Sequence, residues 1–311
     1  MSYFPVPETI ETSVAYALPD QLRLPGRTPW ADANKGGALI DSFLEGPGFD
    51  EHGELWLVDI PNGRILSVTQ NGEWTVRVDY DGWPNGMRLL RDGSALIADH
   101  KLGLVRLWRS TGQIEVVLET VGGEGFKGLN DLIVGRDGTV YFTDQGQTGL
   151  HDPSGRVWAL RPDGGLECLL SNCASPNGVA LDRAEAFLFV ACTRSCQIWR
   201  VPLGRTAGPG KVQLFAQLPG GVSGPDGLAI DQANRLYVAD PGHGSVWVLS
   251  PRGEPVYRLR SCAGRTLTNM AFDPSNWRRL VMTESESGNV LEAFLPAPGW
   301  PLYSHLEARQ A

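Results

Sequence analysis

Glu45, Asn85, Asn130, Asn177, Asp226 and Asn269 stand at corresponding places in six related phrases. These are EGPGFDEHGELWLVD (45–59), PNGMRLLRDGSALIAD (84–99), GLNDLIVGRDGTVYFTD (128–144), PNGVALDRAEAFLFVA (176–191), GPDGLAIDQANRLYVAD (224–240) and LTNMAFDPSNWRRLVMT (267–283). Each of the six residues offers a carboxylate or carboxamide oxygen, and none is apolar. Such a set, if converged, suits the all-oxygen shell of one hard divalent cation. Ca2+ is the leading candidate, with Zn2+, Mg2+, Mn2+ and Fe2+ as alternatives. A competing reading makes these residues turn formers that steer the chain into a strand. It accounts for Asn85, Asn177 and Asp226, each followed by glycine. It does not account for Glu45, a poor turn former, or for Asn130, which precedes Asp131.

Convergence requires elements that repeat. Short β-branched or aromatic runs (LWLVDI, ALIADH, TVYFTD, FLFVAC, RLYVAD, RLVMTE) each follow a turn such as DEHG, RDG or DPSN, the signature of a hairpin. Most are followed by a glycine and a third run (GRILSV, GLVRLW, GRVWAL, CQIWRV, GSVWVL), then by a fourth (WTVRVD, IEVVLE, LECLLS, VQLFAQ, PVYRLR). Amphipathic helices are absent from the pattern. The six polar positions are separated by 40, 45, 47, 49 and 43 residues. Four strands per 40–50 residues, six times over, specify an all-β chain folded as a six-bladed β-propeller. The sixth repeat has three strands only, so an N-terminal strand must complete the last blade and close the ring; GGALIDSF (36–43) is the expected strand. The expected organisation is an irregular N-terminal extension (1–35) anchored by Trp30, one propeller domain (36–296) and a C-terminal tail (297–311). Trp108, Trp158, Trp199 and Trp247 recur in the third strands and read as blade packing.

In a propeller the first strand of each blade lines the central channel, so the six polar residues ring one mouth. Loops joining second to third strands lie at the same end. They bring Ile60–Asn62, His100 and Lys101, Gln145–His151, Thr193–Ser195 and Pro241–His243 towards it. Buried together, six polar side chains are costly unless water, partners or a cation satisfies them.

The formal net charge of −8 argues against a nucleic-acid or anionic-membrane surface, and no run approaches the length of a membrane span. Residues 1–25 carry Glu8, Glu11, Asp20 and four prolines, unlike a secretory signal. Five cysteines, an odd number, exclude a complete disulfide framework, and Cys192 and Cys196 lack a second pair for a zinc site. The expected state is a cytoplasmic protein with free thiols, monomeric or a small homo-oligomer.

EGPGFDEHGELWLVD, LNDLIVGRDGTVYFTD, SPNGVALD and GPDGLAID, in this order and at blade spacing, resemble the SMP-30/gluconolactonase/luciferin-regenerating family from about residue 38 to 296. The resemblance implies one divalent cation held by Glu45, Asn130, Asn177 and Asp226, with Asp226 also the general base. In the sugar-lactonase branch an arginine two residues before the third-blade asparagine contacts substrate hydroxyls; here Gly128 stands there and Lys127 precedes it. The phrase around Asn130 is closer to the bacterial gluconolactonase and drug-responsive lactonase branches.

The expected reaction is cation-assisted hydrolysis of a lactone, with Asp226 activating water. Asn85, Asn130, Asp131, His100, His243 and Asn269 are the candidate substrate contacts. Serine catalysis is disfavoured because no G-x-S-x-G elbow occurs. Two alternatives stay open: the same site acting on another ester or phosphotriester, or in a ring-forming step, and a non-catalytic binding propeller.

Overall fold

The computed structural model describes residues 4–204 and 210–306. Six blade sheets, each with four antiparallel strands, follow one another around the ring, with a two-stranded hairpin, Thr120–Val121 and Glu124–Gly125, between the second and third. The first blade is Leu44–Phe49, Leu55–Asp59, Arg64–Val68 and Trp74–Asp79. Its first three strands are buried throughout, whereas the fourth is largely exposed and faces solvent. Burial on both faces explains why the inner strands read as continuous apolar runs. Adjoining blades wedge against each other, so that Trp56, Val58 and Ile65 of the first blade share a cluster with Met87, Ile97 and Val105 of the second.

The ring closes through the N-terminus, but not with residues 36–43. Ser13–Ala17 pairs antiparallel with Asn289–Phe294 and completes the last blade. Glu8–Glu11 runs parallel to Pro255–Arg260 and gives the fifth blade a fifth strand. The extension is therefore ordered where an irregular segment was expected. A helix, Pro29–Asn34, follows, its first turn capped by the Thr28 hydroxyl accepting from the Ala31 amide at 3.1 Å. Gly36 and Gly37, both at positive φ, then turn the chain back. Residues 38–43 use their length to return to the first blade, and their backbone groups pair with the preceding strap (Leu24 N to Asp41 O, Gly26 N to Ile40 O) and not with the last blade. Trp30 anchors the helix as expected, buried against Phe43 with ring centres 4.9 Å apart.

The C-terminal segment is a plug. Gln232 donates to Pro298 O and Trp300 to Ile230 O, and Arg91 reaches Tyr303 O and Leu306 O across the far face. Trp300–Leu306 thereby covers an apolar end of the channel lined by Phe49, Ile133 and Phe272, leaving a cavity of about 70 Å³. The opposite mouth holds about 640 Å³. Residues 1–3 of the expected extension and 307–311 of the expected tail lie outside the described residues. No described helix is long and apolar enough to cross a membrane.

Candidate active site

At the head of five of the six inner strands the pairing register slips. The irregularity falls between Glu45 and Gly48, Pro84 and Met87, Leu129 and Leu132, Pro176 and Val179, and Leu267 and Asn269. A bulge of this kind re-aims a side chain that regular alternation would send into the blade. Five blades share it at the position singled out by sequence, so the polar ring is built by backbone geometry. The glycines beside it serve close approach. A Cβ on Gly178 would lie 2.2 Å from Asp226 O, and one on Gly46 would lie 2.5 Å from Asn85 O. Turn chemistry is thus not what these Asn-Gly and Asp-Gly pairs are for.

The shared bulge also corrects one register. Asp131 N and Asn269 N both donate to the threonine facing them, Thr143 and Thr283, at 3.0 and 3.1 Å. Asn269 therefore corresponds to Asp131, and the sixth member of the ring is Thr268. Thr268 lines the cavity with Glu45, Asn85, Asn130, Asn177 and Asp226. Asp131 and Asn269 occupy the positions that are glycine in the other four blades, on opposite sides of the ring, and fill the channel below the mouth.

From there each steadies a neighbour. Asn269 Nδ2 donates to Glu45 Oε2 at 2.9 Å while its own Oδ1 accepts from Met270 N at 2.8 Å. The Gly46 amide donates to the same Glu45 oxygen at 2.6 Å. Asp131 faces the buried Arg88 guanidinium at 3.4 Å. Neither Asp131 nor Asn269 lies on the cavity wall, so they support the site from below. Asn130 Nδ2 donates to Gln145 Oε1 at 2.8 Å, and Gln145 Nε2 donates to Ser175 Oγ at 2.9 Å. That chain leaves the Asn130 oxygen turned away from Gln145. Asn177 likewise donates to the Asp226 carboxylate.

Electrostatically the floor is unbalanced. Burial, opposed by the Gly46 and Asn269 hydrogen bonds and assisted by Asp131, pushes Glu45 up to about 7. Burial and then the Glu45 and Asp131 charges raise Asp226 well above the usual carboxylate range. Neither acid has a basic side chain within ion-pair distance among the described residues. Two such carboxylates beside two oriented amides fit a cation that takes oxygen ligands. No three His, Cys, Asp or Glu side chains form a metal-ligating group among the described residues, so Asn130 and Asn177 would have to complete the shell.

The chain matches the SMP-30/Gluconolactonase/LRE-like region over residues 43–286. It belongs to that family. Lactonase drp35 of Staphylococcus aureus (strain MRSA252) is 30% identical over 246 residues, covering 74% of this chain and 72% of its own. The gluconolactonase of Zymomonas mobilis is 30% identical over 205 residues, 60% of this chain and 57% of its own. Among solved structures, the calcium-binding protein regucalcin from Agrobacterium tumefaciens superposes with a TM-score of 0.78 at 21% identity over 96% of this chain and 99% of its own. A gluconolactonase from Xanthomonas campestris gives 0.73 at 24% identity over 91% and 99%. At these identities the superpositions establish the fold.

Within the SMP-30/gluconolactonase frame, Gly128 acquires a steric reason. Its φ is +142°, and a Cβ there would lie 2.3 Å from His100 Cε1. The His100 ring, which lines the cavity, takes the space a side chain at 128 would need. Burial lowers the His100 pKa despite the nearby Asp99 and Asp144 charges. His243 is placed elsewhere: its Nδ1 lies 3.0 Å from Asp240 Oδ2, beside Gly221 and away from the cavity wall. Sequence reasoning also missed Gln145 as the residue orienting Asn130, and Arg88 as the partner of Asp131. Thr268 was recoverable, because LNDL and LTNM align on their flanking apolar residues.

Proposed function

We propose that the protein is a divalent-cation-dependent lactonase whose cation is held by Glu45, Asn130, Asn177 and Asp226. The observation that carries this reading is the pair of repelling carboxylates, the buried Glu45 and the half-buried Asp226, on the floor of a polar cavity open at one end. A scaffold has no use for such a pair, and relatives named lactonase and gluconolactonase share most of the repeat. When bound, the cation supplies Lewis acidity at the ester carbonyl and neutralises the two carboxylates.

The chain's own groups do the rest. Asp226 accepts a proton as water oxygen adds to the carbonyl carbon. The acyl–oxygen bond then breaks, and that proton passes to the departing ring oxygen to give a hydroxy acid. Glu45 is held rigid for its role by Asn269 and Gly46, and Asn130 by Gln145. His100 and Asn85 line the wall against which a substrate must lie.

The test is a pH-indicator assay over aldonolactones, simple γ- and δ-lactones and paraoxon. It uses protein purified without chelator, the same protein after EDTA, and protein resupplied with Ca2+, Mg2+, Mn2+ or Zn2+. Lactone opening should vanish on chelation and return with at least one cation. Turnover that survives exhaustive chelation would sink the cation's role; turnover of paraoxon alone would move the reaction to phosphotriesters.

A further inference from the structure

The rim of the cavity carries charge of the opposite sign to its floor. Lys35, just past the Pro29–Asn34 helix, and Arg194, in the turn Thr193–Ser195 of the fourth blade, both line it. Neither forms an ion pair among the described residues. Lys35 Nζ instead stands over aromatic faces, 4.3 Å from the centre of the Phe43 ring and 5.9 Å from that of Trp30. A ring positions an ammonium without neutralising it. The helix behind it is tied across the mouth by Gln147 Nε2 donating to Asn34 Oδ1 at 3.2 Å. On the other side the Arg194 stem passes the third-blade loop at Gly149, where a Cβ would lie 3.7 Å from Arg194 Cγ. The carboxylate of that loop, Asp152, is engaged with Ser154, Lys127 and His151.

The count of charges then decides the matter. Arg88 balances Asp131. One divalent cation would balance Glu45 and Asp226. Lys35 and Arg194 remain, two cations without an ion-pair partner among the described residues, facing into a concave site of a chain whose net charge is −8. Lys35 feels the Asp226 carboxylate only at longer range, an attraction that a cation bound to Asp226 would offset. A neutral lactone needs neither, and a concave wall focuses their field on whatever enters. We propose that the substrate is a lactone bearing an anionic substituent, a carboxylate or a phosphate, remote from the ester and held between Lys35 and Arg194. The proposal rests on the lactonase reading for the reacting end and on the two side chains for the anionic end. Salt bridges to a bound anion change affinity more than the chemical step, so the effect belongs in KM.

The experiment compares glucono-δ-lactone with lactones of the same skeleton carrying a C6 carboxylate or a C6 phosphate, using cation-replete protein. Wild type should favour one of the charged lactones by about tenfold or more in kcat/KM, and salt raised from about 20 mM to about 0.5 M should erode that preference. Lys35→Met and Arg194→Met should each lower the charged-to-neutral ratio about threefold through KM, and together abolish it. The better of the two charged lactones identifies the anion. An equal ratio in wild type and the double variant overturns the proposal. Calorimetric binding of glucarate against gluconate separates the two readings. If no lactone is opened yet glucarate binds better to wild type and equally to the double variant, the anion site stands and the lactonase reading falls. If lactones are opened without charge preference, the anion site falls alone.

Discussion

Two rings of acids lie at the same end of the propeller and are treated in opposite ways. The outer ring, Asp59, Asp99, Asp144, Asp240 and Glu284, ends the second strands and is almost fully buried. Four of the five are satisfied at both oxygens and Asp240 at one, from Trp247. Asp59 accepts from Phe43 N and Arg64, Asp99 from Tyr80 and the Trp83, Lys101 and Leu102 amides, Asp144 from Gly128 N and Arg156, and Glu284 from the Thr266 and Ser287 amides. They pin each loop to its blade. Of the inner acids Glu45 is buried and Asp226 half-buried; neither has a basic partner in contact among the described residues, and their proton affinities are raised. Burial alone therefore does not mark a functional acid. What marks it is burial without compensation, which natural structures tolerate where a ligand supplies the missing charge.

Exchanging one member of each ring breaks the comparison most sharply. Asp226→Asn should lower kcat for lactone opening by about 10³-fold or more, the range expected for loss of a positioned base together with a cation ligand. The same variant, stripped of cation, should be no less stable than wild type, because a repelling charge has gone. Asp59→Ala should do the reverse. It strands the buried Arg64 guanidinium and should cost about 3–5 kcal/mol in urea unfolding, with cation stoichiometry unchanged in the fraction that stays folded. An Asp226→Asn enzyme with full turnover, or an Asp59→Ala protein as stable as wild type, would erase the distinction.

The outer ring was plain in the sequence as the last letter of LWLVD, ALIAD, VYFTD and LYVAD, yet it carried no functional signal because turn-capping acids are common. The blades were legible for a physical reason: each is a local hairpin unit, and its period survives in the chain. Glu45 and Asn130 were legible because they break the turn-former pattern at a fixed place, whereas Asn177 and Asp226 fit that pattern and are singled out by the family resemblance. Three things were not. The closing strand is non-local, so nothing in SVAYA says that it pairs with Asn289–Phe294 and not GGALIDSF. Asn269 stands one residue past the ring position, since a bulge shifts which side chain faces inward; alternation alone hides this, and only the alignment of LNDL with LTNM points to Thr268. Lys35 lay in a segment expected to be irregular, and only the fold carries it over the mouth.

A cation that binds the inner ring should stabilise the fold by mass action. At a concentration 100-fold above its Kd the gain is about 2.7 kcal/mol, so EDTA should lower the midpoint of thermal unfolding in wild type. The shift should vanish in a Glu45→Gln, Asp226→Asn double variant and persist in an outer-ring variant such as Asp240→Asn. A chelator effect of equal size in both variants would place the cation elsewhere.

The smallest effect concerns the residue between the rings. His100 lines the cavity, stacks loosely on Trp83 with ring centres 5.8 Å apart, and lies within the fields of Asp99 and Asp144. Two carboxylates so near would ordinarily raise an imidazole, yet desolvation wins and its pKa falls below 6.5. The outer acids are held in their own hydrogen bonds and cannot turn to solvate it. The sign of the consequence follows from linkage. Because the folded value is the lower one, the unfolded chain takes up its proton first as pH falls, and the stability that His100 contributes above 6.5 is lost on acidification below it. Wild type should therefore lose more unfolding free energy between pH 7 and pH 5 than His100→Gln does, measured by urea titration at matched ionic strength. A steeper loss in His100→Gln would mean that the imidazole is protonated in the folded state, and that Asp99 or Asp144 retains charge free to act on the cavity.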